Sequence, residues 1–109
     1  MMEVINNIDE WNTVFQNHNK EKNILLLNFS ALWCNPCKAL KPELEKLSNN
    51  PNYSNVKMYK IDIDKCEDIA TMLDISSIPT TLLVKDDKIV HRISGANILT
   101  ITNNIDSIL

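Results

Sequence analysis

Residues Ile24 to Phe29 read Ile-Leu-Leu-Leu-Asn-Phe, an almost unbroken apolar run, and the pair Cys34-x-x-Cys37 follows shortly after it. Such a stretch, without polar alternation, is the pattern of a β-strand buried on both faces. A strand of that kind needs a covering layer above and below it, so the rest of the chain has to supply helices to both sides of a sheet. The flanking patterns do so. Ile8, Trp11, Val14 and Phe15 recur at helical spacing over Ile8 to His18, and Asp9 and Glu10 load the first turn. Ala39, Leu40, Leu44 and Leu47 repeat at the same period over Pro36 to Leu47. Pro36 suits the first turn of that helix, whereas Pro42 falls inside it and should kink it.

Beyond a turn-rich loop from Asn49 to Asn55, the segment Val56 to Ile63 carries a strand pattern. Asp64 with Glu67 reads as an N-cap and its capping-box partner, opening a short helix that ends at Leu73. Thr80 to Val84 and Ile89 to Ile93 form a hairpin turning at Asp86-Asp87. Gly95, the only glycine, breaks the chain before a last helix from about Leu99 to Leu109. With a short strand expected near residue 4, the order is β-α-β-α-β-α-β-β-α. Strands separated by helices imply parallel crossovers, and the closing hairpin adds antiparallel strands. The expected fold is α/β: a mixed sheet of four to five strands, flanked by helices on both faces, in one domain spanning residues 1–109.

Composition narrows the function. A net charge of −3 gives no electrostatic ground for nucleic-acid or acidic-membrane binding. The first residues lack a basic, apolar leader pattern, and the longest apolar run is far too short to span a bilayer. A soluble, untargeted, monomeric cytoplasmic protein is the expectation. Three cysteines are an odd number for a disulfide-stapled secreted module. Two of them form the C-x-x-C, where a buried strand gives way to a helix.

That position carries the chemistry. The first amides of a helix lack internal partners, and the helix dipole adds about half a positive charge there. A thiolate at Cys34 would face those donors and be stabilised by them. Cys37 lies one turn on and points the same way, so Cys34 is read as the attacking thiolate and Cys37 as the resolving thiol. The competing reading is half of a structural zinc site. Zinc would need two more ligands, and His18, Cys66 and His91 stand at no ligand-like spacing to the pair. No metal is expected.

The stretch Trp33-Cys34-Asn35-Pro36-Cys37-Lys38 resembles the thioredoxin signature. Pro42 resembles the family's kinking proline, Ile78-Pro79-Thr80 its cis-proline loop, and Ser94-Gly95-Ala96 its late glycine turn. With the element order, the likeness extends from near residue 4 to residue 109. It implies the thioredoxin fold and a protein-disulfide reductase without a bound cofactor. Electrons would come from NADPH through a thioredoxin reductase and pass to oxidised clients, such as peroxiredoxins or other thiol-dependent reductases. It also implies a cis bond before Pro79, and a substrate-binding rim of Trp33, Ile78, Pro79, Gly95 and Ala96 around Cys34. By residue type alone, Pro79 would be an ordinary trans turn proline, since cis makes up only about 5–6% of X–Pro bonds, and Trp33 could be plain core filler.

Two departures from the family pattern bear on reactivity. Asn28 stands where relatives usually carry a buried Asp, near a lysine that corresponds to Lys60. An amide cannot take the proton from Cys37 as a carboxylate would, so water or Lys60 would have to stand in. It also removes a negative charge that disfavours the Cys34 thiolate, which points to a less reducing couple and slower resolution. The alternative is a satisfied core amide without kinetic effect. Asn35 replaces the usual Gly and alters the donors offered to sulfur, in a direction the sequence does not give. A less reducing, isomerase-like oxidoreductase and a thioredoxin-fold adaptor subunit therefore stay open beside the reductase. Cys66, in the first turn of its helix, is either a regulatory thiol or a small semi-buried residue. His18 and His91, on polar stretches, read as solvated surface groups.

Overall fold

A computed structural model describes residues 2–109. Five strands form one sheet in the order β1-β3-β2-β4-β5. They are β1 (Glu3–Ile5), β2 (Ile24–Ser30), β3 (Val56–Asp62), β4 (Thr80–Lys85) and β5 (Lys88–Ser94). β1 and β3 run parallel to each other, as do β3 and β2, whereas β4 is antiparallel to both β2 and β5. Four helices cover the sheet: α1 (Ile8–Glu21), α2 (Asn35–Ser48), α3 (Glu67–Met72) and α4 (Ile98–Asp106). The strand read from the Ile24 run is the central one, as its lack of polar alternation requires.

Side-chain alternation along β2 divides the core in two. Ile24 and Leu26 join Leu40, Leu44 and Leu47 of α2 and Ile101 and Ile105 of α4. Leu25, Leu27 and Phe29 face the opposite way and pack with Trp11 of α1 and Ile69 of α3. The same period places Asn28 on the α2 face, one step beyond Leu26. In β3, Val56 and Met58 belong to that face, so Lys60, directly opposite Asn28 in register, follows them. The even-numbered residues at the ends of β2 and β3 therefore gather under the first turn of α2.

Several local expectations shift. α2 spans Asn35–Ser48, with Pro42 inside it as expected. α1 continues three residues past His18 and stops at Lys22, whose positive φ is a left-handed cap. The last helix spans Ile98–Asp106, capped by the Asn97 carboxamide, which accepts from the amides of Leu99 and Thr100. The Asp64–Glu67 capping box does not form. The Cys66 amide donates to the Asp62 carbonyl at 2.9 Å, making one more turn before the helix, so Cys66 is the N-cap residue of α3 and its side chain does not cap. Asp86 and Asp87 both have positive φ, the geometry of a tight hairpin with the native strand twist.

His18 is not a solvated surface group. It is 2% exposed. Its Nε2 accepts the backbone N–H of Asp87 at 3.0 Å, and its Nδ1 lies 2.9 Å from the Asn23 side-chain oxygen. With Nε2 an acceptor, Nδ1 carries the hydrogen and donates to Asn23. The ring thus ties the end of α1 to the β4–β5 turn. His91 is half-buried, with Nε2 at 3.3 Å from the Ser107 hydroxyl. Sequence polarity misplaced His18, because its Nε2 takes a partner remote in the chain.

Candidate active site

Cys34 and Cys37 are joined by a disulfide, with their Cα atoms 5.3 Å apart. Cys34 is the N-cap of α2: its backbone is extended, and its Sγ accepts the amide of Cys37 at 3.3 Å. The sulfur thus occupies the position that a Ser or Asp oxygen takes at an ordinary N-cap. Asn35 and Pro36 fill the first two helical positions, and Pro36 brings no amide to a turn whose amides have no helical acceptor. Both sulfur-bearing residues are buried, at 5% and 8% exposure, and pack with Ala31, Ile63 and Ile78.

The surroundings assemble from distant segments. The Ile78–Pro79 peptide is cis. Ile78 packs on the cysteine cluster, and the Pro79 carbonyl accepts the Gly95 amide at 2.9 Å, which draws the Ser94-Gly95-Ala96 turn to that loop. Gly95 has φ +97°, a conformation that L side chains rarely adopt. Trp33 is 66% exposed, and its indole N–H donates to the Asp64 carboxylate at 2.9 Å. It is not core filler. The bond to Asp64 gives a large exposed ring a fixed position beside Cys34, a role for Asp64 that the capping-box reading missed.

Asn28 is 5% exposed and donates from Nδ2 to the Thr81 hydroxyl of β4 at 3.1 Å. It is therefore satisfied within the sheet, on the face beneath α2 and opposite Lys60. Thr81, fully buried, was not singled out from the sequence; a threonine within a β-rich run carries no signal of its own.

The thioredoxin family model matches residues 4–107. The chain belongs to the thioredoxin family. Thioredoxin-3 of Saccharomyces cerevisiae mitochondria is 39% identical over 85 residues, covering 78% of this chain and 65% of that relative's length. A poplar thioredoxin h structure superposes with a TM-score of 0.92 at 30% identity, covering 98% of this chain and 95% of that one. A structure reported for the thiol-resolving mechanism of yeast mitochondrial 1-Cys peroxiredoxin, via the glutathione and thioredoxin systems, matches with a TM-score of 0.83. It is 32% identical, over 98% of this chain and 95% of that one.

Within this thioredoxin scaffold the third cysteine stands apart. Cys66 is 1% exposed, and its thiol donates to the Ile5 carbonyl at 3.6 Å. Burial pushes its pKa up, and the nearby carboxylates of Asp68, Asp62 and Glu10 add to that, against Lys65. α3 has only six residues, and Cys66 sits before them rather than in their first turn. The environment thus opposes a thiolate, contrary to the dipole argument for a regulatory thiol. Iodoacetamide applied to the reduced protein at pH 7 is expected to label Cys34 within minutes and to leave Cys66 unmodified until denaturant is added. Peptide mass spectrometry checks this, and equal labelling of residues 34 and 66 would contradict it.

Proposed function

We propose that the chain is a protein-disulfide reductase that cycles between Cys34–Cys37 dithiol and disulfide. The observation that carries this reading is the Cys34 sulfur at the N-cap of α2, accepting the Cys37 amide and bonded to Cys37. In the reduced protein the same amide and the helix dipole favour a Cys34 thiolate. That thiolate attacks a client disulfide, forming a mixed disulfide and expelling one client thiolate. Cys37, once deprotonated, attacks the Cys34 sulfur and expels the second client thiolate, so two electrons pass to the client and the Cys34–Cys37 bond is formed. Trp33, Ile78, Pro79, Gly95 and Ala96 supply the docking rim. The non-repetitive loop at Ile78–Pro79 suits main-chain pairing with an extended client segment.

The chain itself holds no electron source, so re-reduction requires a donor. The family relationship supports a flavoprotein thioredoxin reductase drawing on NADPH, with no cofactor bound to this chain. The peroxiredoxin context of one structural neighbour supports peroxiredoxins and other thiol-dependent enzymes as clients. A monomer working in a reducing compartment such as the cytoplasm fits this reading. No helix of the described residues is long and apolar enough to cross a membrane.

Equilibrium titration with a dithiothreitol buffer tests the reading. A potential closer to about −270 mV than to about −180 mV is the expected result, whereas one near about −180 mV would mark an isomerase-like oxidoreductase instead. Asn28 gives the titration a second use. Asn28→Asp is expected to make the couple more reducing, by on the order of 30 mV, because a carboxylate beneath α2 disfavours the thiolate. The same variant should release clients from Cys34 faster, since a carboxylate can take the Cys37 proton. No change in either quantity would show that Asn28 is a core amide and nothing more.

A further inference from the structure

A cavity of about 440 Å3 opens beside Cys37. Cys37 and Asn28 lie in its wall, and Lys38, Lys41, Lys60 and Lys65 line it. Those are four of the eleven cationic side chains in a chain whose net charge is −3. One carboxylate, Asp62, shares the lining, and it accepts the Asp64 amide at 2.8 Å. None of the four ammonium groups has an ion-pair or hydrogen-bond partner among the described residues, where the one ion pair is Lys46–Glu43. Ala31, Leu32 and Leu44 make part of the wall apolar.

We propose that this cavity binds a small polyanion, a polycarboxylate or a phosphate ester with a short hydrocarbon body. Its size is that of a small-molecule site, and its lining combines four lysines with an apolar surface. Four like charges around one concavity repel one another, and a multivalent anion relieves that repulsion at several of them together. Asn28 matters here as well, because a carboxylate at that position would oppose such a ligand. The concave arrangement and the negative net charge argue against nucleic acid, which needs cations spread along a face.

The site also couples to the disulfide, and this coupling rests on Cys34 being the thiolate of the reduced form. Reduction takes up two electrons and, if Cys34 stays ionised, one proton. A polyanion beside Cys37 repels that new charge, so it binds the disulfide form more tightly. By linkage it favours the disulfide by the same factor. Occupancy therefore makes the couple more reducing and Cys34 less reactive.

The test uses NMR titration of the oxidised protein with citrate and with pyrophosphate at low salt, acetate being the monovalent control. Saturable shifts at Lys38, Lys41, Lys60 and Lys65, weakened roughly tenfold in the double variant Lys41→Gln/Lys65→Gln, are expected. The tighter of the two probes identifies carboxylate or phosphate as the headgroup. An absence of saturable shifts, or shifts undiminished in the double variant, would overturn the site. Insulin reduction without anion and thermal unfolding verify that the variant is folded. For the coupling, reduced protein should bind citrate roughly three- to tenfold more weakly, and citrate should slow Cys34 alkylation by iodoacetamide. Equal affinity for the two redox forms would overturn the coupling. A Cys34 no more reactive than a free thiol without any anion would instead count against the reductase reading.

Discussion

Cys34→Ser is expected to lower turnover of insulin disulfides by about three orders of magnitude or more, the scale of losing a nucleophile. Cys37→Ser should lose turnover too, but by a different route. Its Cys34 thiolate still attacks, and with no neighbouring thiol to displace the client it stops as a covalent adduct of one client per chain, visible by intact mass. The asymmetry follows from the N-cap. Only the Cys34 sulfur accepts a helix amide, whereas Cys37 lies within the helix it opens. Adducts through residue 37 in Cys34→Ser, and none through residue 34 in Cys37→Ser, would reverse the assigned roles. A chain that acted mainly as an adaptor would keep its biological effect in both variants. Because the Cys37 amide can bond a serine oxygen in place of the sulfur, Cys34→Ser should still fold, and the activity loss will report chemistry rather than unfolding.

How much of this was legible in the chain depended on how far apart the interacting residues lie. The Ile24–Phe29 run disclosed a central strand because nothing polar interrupts it except Asn28. The Cys34 site was legible because a helix N-terminus is a local feature, built by residues adjacent in sequence. Other details depend on contacts across the fold. His18 looked like surface because its neighbours in sequence are polar, yet its partners are Asn23 and the Asp87 amide, the latter 69 residues away. Asp64 looked like a cap because Glu67 follows it, but its carboxylate serves Trp33, 31 residues earlier. The lysines of the cavity could not be grouped from the sequence either. Lys38 and Lys41 come from α2, Lys60 from β3 and Lys65 from the loop after it, and only the parallel pairing of β2 with β3 brings them together.

The same strand sets the largest expected stability effect. Phe29→Ala is expected to destabilise the protein by about 3–5 kcal/mol, the usual range for truncating a buried aromatic. Phe29 is fully buried, and its ring lies 6.5 Å from that of Trp11. It belongs to a cluster that draws on β1 through Ile5, α1 through Trp11 and α3 through Ile69, so the lost volume is shared by three elements that cannot all close on it at once. Against a total stability of about 5–15 kcal/mol for a domain, that loss is a large fraction. Urea unfolding of the oxidised protein measures it, with Ile89→Ala as the reference. Ile89 is an equally apolar strand residue but 44% exposed on the edge strand β5, and its truncation should cost well under half as much. Comparable losses at the two positions would mean that β2 is not the strand on which both layers close. The arrangement of Asn28, Lys60 and Cys37 under α2, which depends on that strand's register, would then fail with it.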